Sequence, residues 1–275
     1  MTDPTDGAQG AGTPRAISVL GTGYLGATHA AAMAEMGFDV VGIDVDERKI
    51  ATLAAGTAPF YEPGLDALIA RNIAAGRLRF STDYAEAADA DAHFICVGTP
   101  QASDSGAADL TYVFAAAEAL APHLTRPTTV IGKSTVPVGT ASQVRRVLQE
   151  LAPAGSAAHL VWNPEFLREG FAVQDTLEPD RIVIGVDDAA DEARVRAIYA
   201  PQLERGTPFL VTDFATAELV KVAANSFLAT KISFINAMAE ICEVTGADVK
   251  DLADAIGHDD RIGRKFLGAG LGFGG

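Results

Sequence analysis

The chain has 275 residues, 48% hydrophobic and 21% charged, enough apolar material for one large core or two smaller ones, which excludes a mainly disordered protein. A formal net charge of −15 argues against a nucleic-acid partner, because phosphate backbones are repelled over most of such a surface. No apolar stretch is long enough to span a bilayer and no hydrophobic signal core precedes the first strand, so a cytoplasmic protein without membrane contact is expected.

Residues 1–14 lack apolar periodicity and read as a loose tail. A short strand is expected from Ala16 to Leu20, then a turn through Gly21, Gly23 and Gly26, then an alanine-rich helix to about Met36 that Gly37 stops. A second apolar run, Phe38 to Ile43, ends on Asp44. Strand, glycine turn, helix, strand and acid is the order of a dinucleotide-binding unit. Gly21 permits the tight turn, Gly23 lets backbone approach a pyrophosphate, and Gly26 lets the helix pack on the strand, with the helix N-terminus aimed at negative charge. Asp44 is suited to accept hydrogen bonds from an adenosine ribose diol and to repel a 2′-phosphate, which favours NAD over NADP; Arg48 and Lys49 nearby work against that preference.

A helix from Glu47 to Ala55, a loop with Pro59 and Pro63, a further helix and further strands are expected next. HFICVGTP closes a strand at Val97 and puts Thr99 in the following loop; TTVIGKSTVPVGT repeats the design with Ser134 and Thr135. Loops at the carboxyl ends of parallel strands line the ligand crevice, so Thr99 and Thr135 are candidate cofactor contacts, though threonine is also an ordinary turn residue. HLVWNPEFLREGFAVQDTLEPDRIVIGV carries a strand, then Asn163, Pro164 and Glu165, a short turn or helix with Arg168 and Glu169, and a strand from Arg181. Glu165 and Glu169, four apart on one helical face, could orient a water or take a proton; a solvated Glu and Arg pairing is the plainer alternative.

Thr212 to Thr245 is the longest helical stretch, with a buried stripe expected at Leu219, Val222, Ala223, Phe227, Leu228, Ile232, Ile235 and Ala239. Lys221 and Asn225 share one face of it, which points to a polar pocket or to plain surface exposure. Cys96 and Cys242 read as reduced, buried thiols.

Taken together, GTGYLG, FICVGTP, STVPVGT, NPEFLREG, PDRIV, ELVKVAANSFLATKISFIN, RIGRKFL and GFGG resemble the UDP-glucose/GDP-mannose dehydrogenase family, on its UDP-glucose branch, from Ala16 to Gly275. The resemblance implies an α/β fold, a Rossmann-like doubly wound sheet over 15–211, followed over 212–275 by a long central helix and the start of a helical dimerisation domain. It implies NAD-dependent oxidation of the C6 alcohol of UDP-glucose to UDP-glucuronate in two hydride transfers. Lys221 and Asn225 would hold a water or oxyanion near C6, Glu165 would activate the hydrolytic water, Thr135 would join that water network, and Glu169 would lie near the nicotinamide. Gly21, Gly23, Tyr24, Leu25, Gly26, Asp44, Lys49, Thr99 and Thr135 would contact the cofactor, and Phe166, Leu167, Phe266 and Gly274 the substrate. Arg261 would reach the sugar nucleotide of a neighbouring subunit, implying a homodimer, with Lys221, Arg264 and Lys265 as further local cations against the acidic total. In the family, GFGG is followed by a serine and the nucleophilic cysteine, then by a UDP-binding domain, so the chain resembles the amino-terminal portion of a longer enzyme and is expected to lack that thiol. A related NAD-dependent hydroxyacid dehydrogenase and a catalytically silent NAD-binding module remain as alternatives.

Overall fold

Parallel strands covered on both faces read as near-continuous apolar runs, and central strand sequences of this chain such as AISVL and IVIG are of that kind. The computed structural model describes residues 14–103 and 105–271, so the tail expected over 1–14 falls, except for Pro14, outside the described residues, as does Gly274. The dinucleotide unit is β1 (Ala16–Leu20), α1 (Tyr24–Glu35) and β2 (Asp39–Ile43). Next come α2 (Glu47–Ala54), α3 (Leu65–Ala74), β3 (Leu78–Ser81), β4 (Ala92–Ile95), α4 (Thr111–Leu120), β5 (Thr128–Gly132) and α5 (Thr140–Leu151). The chain continues through β6 (Ala158–Trp162), α6 (Ala172–Leu177), β7 (Ile182–Gly185), α7 (Ala189–Ile198), α8 (Ala200–Glu204) and β8 (Phe209–Thr212). It closes with α9 (Phe214–Thr245) and α10 (Val249–Gly257).

The strands form one sheet in the order β3-β2-β1-β4-β5-β6-β7-β8, parallel except where β6 meets β7 antiparallel. The order reverses direction between β1 and β4, the switch point beside which an open α/β sheet offers its ligand crevice. Residues Gly26 to Ala34 of α1 are all buried, because the helix is covered by the sheet and by α3 and α6. That enclosure explains an alanine-rich helix with no polar face: small side chains let it approach its neighbours on every side. Ile17, Val19, Phe94, Ile131, Val161 and Ile184 from the strands pack with Met33, Leu53 and Leu68 to form the core.

The chain divides into two units, Met1–Leu219 and Val220–Gly275, with the division inside α9. The second has its own small core of Ile235, Ala253 and Leu267, edged by Met238, Val249, Leu252 and Ile256. The stripe expected along α9 needs correction. Ile235 is fully buried, but Leu219, Val222, Ala223 and Phe227 are exposed, while Phe214, Ala217, Glu218, Lys221 and Cys242 are buried. The first half of this helix is apolar on most of its circumference, so periodicity cannot select the covered face; tertiary partners do. Among the described residues no helix is long and apolar enough to cross a membrane.

Candidate active site

The glycine turn is built as its sequence demands. Gly21 has φ +84°, a left-handed conformation that suits glycine, and its N–H bonds to the Ile43 carbonyl at 2.8 Å, tying β1 to β2. A Cβ on Gly26 would run into the Gly21 carbonyl oxygen, so helix and turn can meet only without a side chain there. Around Gly23 the space is open, and no side chain caps the N-terminus of α1, whose first turn carries no acid. Uncapped helix amides facing open space fit a pyrophosphate.

Asp44 follows β2 and is prepared for a diol. One carboxylate oxygen accepts the Thr22 N–H at 2.7 Å, the Thr22 hydroxyl at 3.1 Å and Lys49 Nζ at 2.7 Å, and the other accepts the Asp46 N–H at 3.1 Å. Burial opposes ionisation of Asp44, yet the Lys49 bond, the two amides and the Lys49 charge hold its carboxyl below the usual carboxylate value.

The loops after β4 and β5 are joined to one another. The Thr99 hydroxyl donates to the Thr135 carbonyl at 2.7 Å, and the Ser134 hydroxyl donates to the Val97 carbonyl at 2.7 Å. Beneath them lies a polar node that sequence reasoning left without a role. Lys133, buried, reaches Asn163 Oδ1 at 3.1 Å; Tyr199 donates to the same oxygen at 2.7 Å, and Asn163 Nδ2 donates to the Val183 carbonyl at 2.8 Å. Asn163 thereby fastens the start of the acidic loop to β7.

That loop is not helical, which corrects the expectation of two acids on one helical face. Residues 163–168 have no regular structure, and helix begins only at Ala172. The Glu165 carboxylate accepts the Leu167 N–H at 2.7 Å, a local side-chain turn that competes with helix beside Pro164. Arg168 is engaged with Asp175, through N–H, Nε and Nη2 at 2.9, 2.9 and 2.6 Å, rather than with either glutamate. The Arg181 guanidinium lies 3.9 Å from the centre of the Phe166 ring.

The far end of the loop is anchored by an acid that the sequence did not single out. Glu62 accepts hydrogen bonds from the Gly170 and Ala172 N–H groups, each at 2.8 Å, and from the Tyr24 hydroxyl. Burial and then the bond to Glu62 push the Tyr24 phenol up, which keeps it a donor. The signal for Glu62 in the sequence is only an acid between Pro59 and Pro63.

Lys221, Asn225, Arg261 and Phe266 belong to the second unit. Lys221 is buried and Asn225, one turn on, is exposed. Arg261 pairs with Asp259 at 2.6 Å and Arg264 with Asp254 at 3.1 Å, so two of the expected cations already hold acids. Phe266 has φ 65°, and Gly270 is clasped by Asn236, which donates to its carbonyl at 2.9 Å and accepts its N–H at 2.8 Å. Cys96 and Cys242 are free, buried thiols; burial pushes Cys96 up to about 12 against the charge of Lys133. Among the described residues no His, Cys, Asp and Glu cluster could hold a metal ion.

A doubly wound sheet with an uncapped glycine turn at its switch point and an acid after the second strand defines a dinucleotide-binding protein. Residues 15–203 match the NAD binding domain of the UDP-glucose/GDP-mannose dehydrogenase family, and residues 215–275 match its central domain. The chain belongs to this family. The UDP-glucose 6-dehydrogenase of Rhizobium meliloti (strain 1021) is 49% identical over 262 residues, which are 94% of this chain and 60% of that protein. A UDP-glucose dehydrogenase structure from the hyperthermophilic archaeon Pyrobaculum islandicum is similar with a TM-score of 0.90 at 44% identity, over 98% of this chain and 62% of that one. A ternary complex of GDP-mannose dehydrogenase from Pseudomonas aeruginosa follows at TM-score 0.85 and 33% identity, over 94% and 61%. The chain thus spans about 60% of the length of these relatives. Family, Rossmann-like fold and NAD as cofactor agree with the resemblance read from the motifs.

Proposed function

We propose that the protein takes part in NAD-dependent oxidation of UDP-glucose to UDP-glucuronate, as the names of its relatives suggest. The observation that carries this reading is the fastening of the NPEFLREG loop beside the dinucleotide turn: the backbone just after Glu169 is hydrogen-bonded to Tyr24, the first residue of α1. Bound NAD supplies the hydride acceptor. The amides at the start of α1 bind its pyrophosphate, Asp44 with Lys49 holds the ribose, and Thr99 and Thr135 face it from the carboxyl ends of β4 and β5. Glu165 orients the water that supplies the second carboxylate oxygen, assisted by Thr135, and Glu169 lies near the nicotinamide. Lys221 and Asn225 donate to the oxygen on C6 as it gains negative charge. Phe166, Leu167, Phe266 and Gly274 contact the sugar nucleotide, and Arg261 reaches the one bound by a neighbouring subunit. Cys96 and Cys242 are assigned no role as nucleophiles, since both are buried and burial keeps Cys96 protonated.

Residues 15–211 act as the NAD-binding domain and 212–275 as part of a dimerisation region. Exposed Phe227, Phe234, Ile241 and Val244 along α9 support a homodimer. The test is to add UDP-glucose and NAD to the purified protein and follow NADH by absorbance and NAD binding by calorimetry. NAD binding is expected, and any NADH that forms should require UDP-glucose. NADH formation from a 3-hydroxy acid but not from UDP-glucose would overturn the assignment.

A further inference from the structure

Glu62 takes no part in the chemistry above, yet its residue is only 5% exposed. A buried carboxylate is costly unless donors saturate it, and here three do. One oxygen accepts the Ala172 N–H, and the other accepts both the Gly170 N–H and the Tyr24 hydroxyl. The Gly170 N–H also points at the Tyr24 hydroxyl oxygen at 3.0 Å, which closes a triangle of Tyr24, Glu62 and Gly170. Phe60, in the same loop as Glu62, packs its ring against Tyr24 at 5.1 Å between centroids. These contacts join segments 38, 108 and 110 residues apart in the chain. One end of the triangle is the first turn of α1, where the cofactor's phosphates belong; the other is the backbone between Glu169 and α6.

We propose that Glu62 is a positioning residue that couples cofactor binding to the order of the acidic loop. Resting on the NAD reading above, the mechanism is mechanical. Anion binding at the α1 amides steadies the turn that carries Tyr24, the Tyr24 hydroxyl holds Glu62, and Glu62 holds the Gly170 and Ala172 amides. Glu165 and Glu169, in the span between the Asn163 anchor and this one, are thereby set in place when the cofactor arrives.

The experiment is amide hydrogen exchange at Gly170 and Ala172 with and without saturating NAD, on the full chain and on Glu62→Gln, alongside calorimetry of NAD binding. Glutamine keeps the volume but offers one acceptor oxygen, so in either orientation its amide nitrogen meets one of the two N–H donors. NAD is expected to slow exchange at both amides about tenfold in the unsubstituted chain, and less than about twofold in Glu62→Gln, which still binds NAD. Tyr24→Phe removes only the bridging hydroxyl and should lose the same NAD-dependent protection, which separates a broken link from a lost fold. A purely architectural Glu62 would raise exchange equally with and without NAD, leaving the ratio unchanged, and that result overturns the coupling alone. A full chain that does not bind NAD overturns the functional reading and the coupling with it.

Discussion

Asp44 concentrates the cofactor preference of the molecule in one side chain. Its carboxylate is already bonded to Thr22, Asp46 and Lys49, so it is held in orientation before any ribose arrives. Preorganisation of this kind lowers the ordering cost of binding. In Asp44→Asn the charge is lost and one acceptor oxygen becomes a donor that faces the Thr22 amide and Lys49 in one orientation and the Asp46 amide in the other. NAD affinity should fall by about ten- to a hundredfold, the range of a charged hydrogen bond, while affinity for NADP falls less because the repelling charge is gone. Calorimetry with both cofactors checks this, and an unchanged NAD to NADP ratio would refute the role of Asp44. The same group also leaves a mark on stability. Its folded value lies below the ordinary 3.8, so its stabilising contribution is complete above that pH and is lost as the pH falls through the lower folded value. Asparagine does not titrate, so acid unfolding followed by circular dichroism should lose part of its pH slope in the variant.

At the scale of one element, α5 depends on a distant residue for its N-terminus. Its N-cap is Gly139, which has no side chain to offer, and the orphan amides are met instead by Glu218 from the start of α9. The Glu218 carboxylate accepts the Gly139 N–H at 2.7 Å and the Ala141 N–H at 2.6 Å, and the residue is 1% exposed. An acid at a helix N-terminus satisfies donors and meets the positive end of the dipole. Glu218→Ala should cost about 2–3 kcal/mol, a fall in Tm of roughly 3–5 °C for a chain of this size, and should loosen the Thr135 loop that leads into α5. A melting temperature within about 1 °C of the parent would show that the cap is dispensable. This contact also marks the limit of what the sequence could tell. The β1–α1–β2 unit was legible because every part of it, from Gly21 to Asp44, lies within one short span whose residue types have local mechanical reasons. Glu62 and Glu218 were not legible, since each acts on amides more than 70 residues away and an acid in a loop or on a helix has no local sign of that use. The acidic loop was legible as chemistry but not fully as conformation, because the Glu165 carboxylate accepts the Leu167 N–H in a local turn and the two acids do not share a helical face.

At the scale of the whole molecule, the two units differ in how much core they own. The first contains the entire sheet, the glycine turn, Asp44, the Thr99 and Thr135 loops, the Glu62 anchor and Glu218. Among its described residues the second has a small core of Ile235, Ala253 and Leu267, with Cys242 buried as well, and carries exposed residues such as Phe227, Phe234 and Val244. A core that small supplies too little burial to offset the chain entropy of the segment that encloses it. A fragment of residues 220–275 should therefore show weak, non-cooperative helix by circular dichroism. A fragment ending at Leu219 keeps every residue proposed to touch the cofactor, so it should melt cooperatively and bind NAD within about threefold of the full chain. NAD at a hundred times its dissociation constant should then stabilise that fragment by about 2.7 kcal/mol and raise its Tm, while leaving the 220–275 fragment unchanged. If the shorter fragment instead folded cooperatively alone, its few buried side chains would have to be worth more than area permits. If the longer one lost NAD binding, the cofactor site would need α9 beyond Leu219, and residues such as Lys221 would have to be counted among the groups that hold NAD.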